Sequence, residues 1–259
     1  MGEQFARNLR GFDMKIALKT INKNNSIKGF ILYEGPSLSD GKPIVVIVTL
    51  ESGNEKTGNM VQSWIMRQDI NPVLASKIGE DISVCFNCRF SNGNGCYVNL
   101  GQGPLSIYKA YKNGAYLNIF DNEELAKKLL SNRAIRLGAY GDPASVPFKY
   151  LDYLLSFGNG IHTGYTHQWK NNPQLKGIVQ ASCDSEHEAV EAQLLGWKTF
   201  TVFNPNATIP NGIGINCVNE THGKQCIDCK LCNGNKTNIV IKLHGLGYKV
   251  KRAISVLPT

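Results

Sequence analysis

Ile135-Arg-Leu-Gly-Ala-Tyr-Gly-Asp-Pro143 decides the reading of the fold. Its short apolar run through Tyr140 suits a buried strand, and Gly141-Asp142-Pro143 ends it, because glycine frees the backbone and proline lacks the N–H that a ladder needs. The same rhythm repeats on both sides. Upstream, Ile82 to Cys85 reads as a strand, and Leu105 to Tyr111 and Glu123 to Leu130 read as helices. Downstream, Phe148 to Leu155 reads as a helix and Ile161 to Thr166 as a strand. Ile178 to Ser182 is a further strand, Glu186 to Leu195 a helix, Lys198 to Phe203 a strand, and Asn238 to Leu243 one more strand. Strands alternating with helices of this size predict an α/β fold with a parallel sheet, open or curled into a full or partial barrel.

Ahead of this region, two β-branched runs, Gly29 to Tyr33 and Pro43 to Leu50, flank a loop containing Gly35, Pro36 and Gly41, which predicts an antiparallel pair. Lys56-Thr-Gly-Asn-Met-Val-Gln-Ser-Trp64 mixes polar and aromatic residues; it suits a connection under the sheet, and could equally touch a ligand. The expected organisation is a β-rich segment over 1–80, a partial β/α barrel over 81–210 and a cysteine-rich metal-binding segment with the last strand over 211–259.

At 259 residues and 42% hydrophobic content the chain can bury a sizeable core. No apolar stretch is long enough for a transmembrane helix, and Met1 to Asn24 does not read as a signal peptide, so the expected location is the cytoplasm, where thiols stay reduced and can ligate metals. Four N-x-S/T triplets, at Asn24, Asn206, Asn219 and Asn235, arise readily in an asparagine-rich chain and do not argue for secretion. The net charge of +8 permits nucleic-acid binding, yet only Lys249, Lys251 and Arg252 make a short basic cluster, and a solvated basic surface is the simpler reading.

The eight cysteines are grouped. Cys85, Cys88 and Cys96 form C-x2-C-x7-C; Cys217, Cys226, Cys229 and Cys232 form C-x8-C-x2-C-x2-C; Cys183 stands alone. Thiolates two residues apart can turn onto one centre, whereas thiols meant for disulfides need no such crowding. The C-terminal group has the spacing of ferredoxin loops that wrap a [4Fe-4S] cluster, with Cys217 as the remote ligand; four thiolates satisfy a structural zinc equally well. Cys183 ends an apolar strand, as a buried thiol would, or else supplies a fourth ligand to the first group. Polar residues also collect where strands end, at Tyr140-Gly-Asp142, His167, Asp184, Asn204 and His244, which is the side where parallel sheets place functional residues.

Three cysteines after a strand, followed by Gly138-Ala-Tyr-Gly141-Asp142-Pro143 after the next strong strand, resemble the radical S-adenosylmethionine superfamily. That resemblance implies a partial barrel, a cluster with one iron open, and S-adenosylmethionine held by Gly138, Tyr140, Gly141 and Asp142, with His167 nearby on the rim. The superfamily's usual spacing is C-x3-C-x2-C, and glutamate usually stands where this chain has Asp142. Over nearly its full length the chain also resembles a tailed-phage protein family, gene product 88, through Lys56-Thr-Gly-Asn-Met, Cys96-Tyr-Val-Asn, Arg136-Leu-Gly-Ala-Tyr-Gly-Asp-Pro, Gly164-Tyr-Thr-His-Gln-Trp169 and the final cysteines. This resemblance implies phage origin and a host-cell cytoplasm. The expectation is an iron-sulfur protein, acting as a radical enzyme or in electron transfer. The alternative is a non-catalytic zinc protein that binds nucleic acid or a host protein.

Overall fold

The computed structural model describes residues 27–258. The reading of Met1 to Asn24 as no signal peptide, and the triplet at Asn24, lie outside the described residues.

Strands β1 (Gly29–Pro36) and β2 (Pro43–Thr49) form the expected antiparallel pair. The next strand is β3 (Val61–Arg67), all seven residues of which are buried, so the latter half of the segment taken as a connection is a central strand. It is held from both sides: β2 runs antiparallel to it, and β5 (Ile135–Tyr140) runs parallel. The sheet is completed by two short strands, β4 (Leu117–Asn118) beside β1 and β6 (His162–Thr163) beside β5, in the order β4-β1-β2-β3-β5-β6. The β3–β5 ladder thus crosses the division drawn at residue 80.

A second sheet takes over directly. Its order is β10-β11-β9-β8-β7, from β7 (Tyr165–Thr166), β8 (Gln180–Cys183), β9 (Thr199–Phe203), β10 (Ile215–Asn216) and β11 (Ile239–Lys242), all parallel. The run expected as one strand, Ile161 to Thr166, is therefore two, broken at Gly164, where a Cβ would stand 2.7 Å from Val179 Cγ1 and 3.1 Å from Leu137 Cβ. Across that break, β3, β5, β6/β7, β8, β9 and β11 follow one another in chain order. No ladder among the described residues joins the edge strands β4 and β10, so the fold is mixed α/β without barrel closure.

The helices are α1 (Pro72–Ile78), α2 (Ile82–Cys85), α3 (Gly103–Lys112), α4 (Glu123–Leu130), α5 (Phe148–Phe157), α6 (Glu186–Leu194), α7 (Val218–His222), α8 (Cys226–Cys229) and α9 (Gly247–Val256). The strand expected over Ile82 to Cys85 is a single helical turn: the N–H groups of Val84 and Cys85 both donate to Asp81 O. A four-residue apolar run has no usable period, and local hydrogen bonding decides it. None of these helices is long and apolar enough to cross a membrane. One apolar cluster, from Phe30 and Ile44 through Leu137 and Leu151 to Val240, packs between sheets and helices.

Candidate metal centres

The first cysteine group is shaped by a loop that departs from α2. Phe86 and Asn92 take positive φ of 51° and 54°, and Gly93 and Gly95 follow with 76° and 95°. Those turns allow Cys88 N–H to donate to Cys85 O (3.1 Å), Ser91 N–H to Cys88 O (3.1 Å) and Cys96 N–H to Phe90 O (3.0 Å). The chain thereby folds Cys85, Cys88 and Cys96 into one neighbourhood. Burial pushes the Cys85 thiol well up, with Cys88 and Cys96 adding to it, and pushes Cys96 up to about 11.

Helix α9 closes over this loop. Lys249 Nζ donates to Val98 O (2.9 Å) and Arg252 to Gly93 O (3.3 Å), so two members of the short basic cluster hold the cysteine loop.

Around the first group stand two buried polar atoms with no hydrogen-bond partner, Asp81 Oδ1 and Tyr140 Oη, while His167 Nε2 and Asp184 Oδ1 face each other. Tyr140 is within electrostatic reach of Cys85, Asp81 and Cys96, and burial raises its phenol well above the usual range. His167 lies between Cys88 and Asp184, with Nε2 3.4 Å from Asp184 Oδ1. Burial opposes protonation of that imidazole, but Cys88 and Asp184 outweigh it and hold it well above its ordinary range. Native proteins rarely leave such atoms unpaired, so their collection beside three thiols fits a site built for a further group.

His167 and Asp184 also line a polar cavity of about 410 Å3, with Arg89, Gln168, Lys170 and Glu188. It opens at the C-terminal ends of β7 and β8, the expected functional edge. Arg89, from the cysteine loop, contacts Asp184 (3.5 Å) and Glu188 (3.0 Å).

Asp142, Gly138 and Gly141, three of the residues assigned to S-adenosylmethionine, are engaged within the chain. Asp142 Oδ1 accepts from Ala144 N–H and Oδ2 from His167 N–H, both at 2.9 Å. A Cβ on Gly138 would meet Gly141 O at 2.6 Å, and one on Gly141 would meet Ile65 at 2.7 Å. These glycines make a turn packed closely on itself and on Ile65, and Asp142 caps it. Cys183 is fully buried in the core with Sγ 3.6 Å from Ala181 O, and the charges that act on it are Glu188, Asp184, Glu191 and Lys170 rather than another cysteine. The structure does not bring Cys183 to the first group.

The second group does converge. Cys217, Cys226, Cys229 and Cys232 all line one cavity of about 30 Å3, together with Thr163 and Tyr165. Cys226 N–H donates to Lys56 O (2.8 Å) and Cys217 N–H to Val240 O (3.0 Å). At Gly58 a Cβ would stand 2.7 Å from Gln225 Oε1 and 2.8 Å from Ile227 Cγ2, so the Lys56-Thr-Gly segment serves as a seat for α8. Burial pushes Cys232 up to about 12. Among the described residues no three His, Cys, Asp or Glu side chains are drawn together closely enough to hold a single metal ion, at either group.

Sequence reading missed Arg136, Asp81 and Tyr165. Arg136 could have been found, since it is a charged residue in the second position of an otherwise apolar strand. Asp81 and Tyr165 carry no such signal. No protein-family model, curated protein or solved structure matches this chain.

Proposed function

We propose that this chain is an iron-sulfur protein with two cysteine-ligated centres on a radical-enzyme-like half-barrel of phage type, and that it transfers electrons. The observation that carries this reading is that Cys217, Cys226, Cys229 and Cys232 all line one cavity. Four thiols around a space suit a polynuclear cluster, with a compact zinc site as the alternative. Cys85, Cys88 and Cys96 would hold the other centre, with Tyr140, Asp81 and His167 as its hydrogen-bonding surroundings. Clusters in these positions would supply one electron at a time.

The residues of the chain have separable roles. Cys85 and Cys96 are half-buried and Cys232 is buried, α9 packs against the first loop, and Asp184 orients His167 at the cavity wall. The backbone hydrogen bonds to Asp142 and the close packing of the Gly138–Gly141 turn weigh against the role that the resemblance gives them toward S-adenosylmethionine. A second reading, an enzyme acting on a small polar molecule, is favoured by the 410 Å3 cavity beside Cys88.

Iron, acid-labile sulfide and zinc are to be measured on protein purified without oxygen, together with a visible absorption spectrum. Roughly eight irons per chain would agree with two cubane clusters, and roughly four with one. Zinc without iron would overturn the reading. Addition of S-adenosylmethionine to the reduced protein should leave its electron paramagnetic resonance spectrum unchanged; a new signal would move the reading to a radical enzyme.

A further inference from the structure

Arg136 is 8% exposed. Its guanidinium donates to Tyr97 Oη (2.9 Å), and no carboxylate among the described residues stands in ion-pair contact with it. The groups within electrostatic reach are Tyr97, Tyr165 and Cys226. Arg136 is paired in register with Thr163 of β6, and register partners of adjacent parallel strands point to the same side of a sheet. Thr163 lines the cavity of the four cysteines, which places Arg136 on the cavity side. Lys224 and Lys230 line the same cavity, while Lys56, also near Cys226, is paired with Glu220.

A cation withdrawn from water is tolerated when an anion compensates it. Four neutral thiols offer none. Four thiolates around a divalent ion, or around an oxidised cubane, leave a net charge of about −2.

We infer that Arg136 is the counter-cation of the C-terminal four-cysteine centre, positioned there by Tyr97 from the first cysteine loop. The inference rests on the proposal that these cysteines hold metal, but not on which metal. It adds a link between the two centres: Tyr97 directly follows Cys96, and its hydroxyl reaches the cation that faces Cys226. Arg136 acts through charge and does not ligate.

The test uses the full chain purified without oxygen, in wild-type, Arg136→Met, Arg136→Lys and Tyr97→Phe forms, with Cys229→Ala to identify the C-terminal centre. Metal retention is read against a competing chelator. Arg136→Met should weaken retention at the C-terminal centre roughly 10- to 100-fold, the range seen when outer partners of a metal site are removed. Arg136→Lys should recover most of it, Tyr97→Phe should show a several-fold loss, and the first centre should keep its metal throughout. Where the metal is iron, the C-terminal centre of Arg136→Met should also be harder to reduce, because the added electron no longer faces a cation. Wild-type retention and potential in Arg136→Met would overturn the inference and leave the two-centre reading intact. Metal content unchanged by Cys229→Ala would overturn both. Should Arg136→Met fail to fold, Arg136→Lys and Tyr97→Phe decide: equal retention in wild type and Tyr97→Phe overturns the positioning role.

Discussion

A Cβ on Gly95 would stand 2.5 Å from Lys249 O and 2.6 Å from Ala253 N, at a φ of 95° that side chains rarely adopt. Both obstacles are backbone atoms of α9, so neither can swing aside. Gly95→Ala is expected to cost about 1–3 kcal/mol in urea unfolding and to loosen α9 from the first cysteine loop. Tyr116 gives a pH dependence. Burial pushes its phenol up to about 12 from 10.0. Because the folded value is raised, its contribution to stability is complete below pH 10 and is lost as the pH rises through about 12. Tyr116→Phe should therefore flatten the loss of stability across that window by up to about 1.4 kcal/mol per pH unit, as measured by denaturant midpoints. These effects are invisible in the sequence, where Gly95 is one glycine among 26 and Tyr116 one tyrosine among 10.

At the scale of elements, α6 shows local sequence and structure in agreement. Ser185 caps it, accepting from Glu188 N–H (3.1 Å), while Glu188 Oε2 accepts from Asp184 N–H (2.8 Å). Ser185→Ala should cost about 1 kcal/mol of stability by thermal or chemical unfolding. Strands β5, β8, β9 and β11 were legible because their apolar runs are bounded by turn residues. Ile161 to Thr166 was misread as one strand because every residue in it suits a strand. The break comes from the close approach of Val179 and Leu137 to Gly164, which passes the run from β5 to β8. Val61 to Arg67 was missed for the opposite reason: Gln62, Ser63 and Arg67 look like a loop until burial between β2 and β5 is known. Gln62 then bonds Thr57 Oγ1, and Arg67 meets Asp69 and Glu80.

Across the whole molecule, the two cysteine groups lie toward opposite ends of one strand. Tyr140, near Cys85 and Cys96, and Arg136, near Cys226, are register partners of Trp64 and Gln62 and so share a face of β5. Four residues of β5 stand opposite only two of β3, because the chain bulges at Gly138, so the two positions are about 7 Å apart along the sheet. Each group is clamped by a segment far away in sequence, α9 for the first and Lys56 with Gly58 for the second. Separate clamps predict separate centres. Cys96→Ala should remove about half of the bound metal, Cys229→Ala the other half, and Cys183→Ala none, by elemental analysis. Joint loss of both halves from either single variant would overturn two independent sites.

The sequence by itself determined the mixed α/β class, the antiparallel opening pair, four of the nine helices among the described residues and the division of cysteines into two groups and a single, because these depend on spacing and on hydrogen bonds between near neighbours. Tertiary structure alone decided the rest. It broke the parallel run at Gly164, removed Cys183 from the first group and engaged Asp142 in backbone caps. It also turned two basic residues into a clamp and set the Arg136 guanidinium, bonded to Tyr97, within electrostatic reach of Cys226. Each of these outcomes depends on atoms tens or hundreds of residues apart coming within contact distance, which no local pattern encodes.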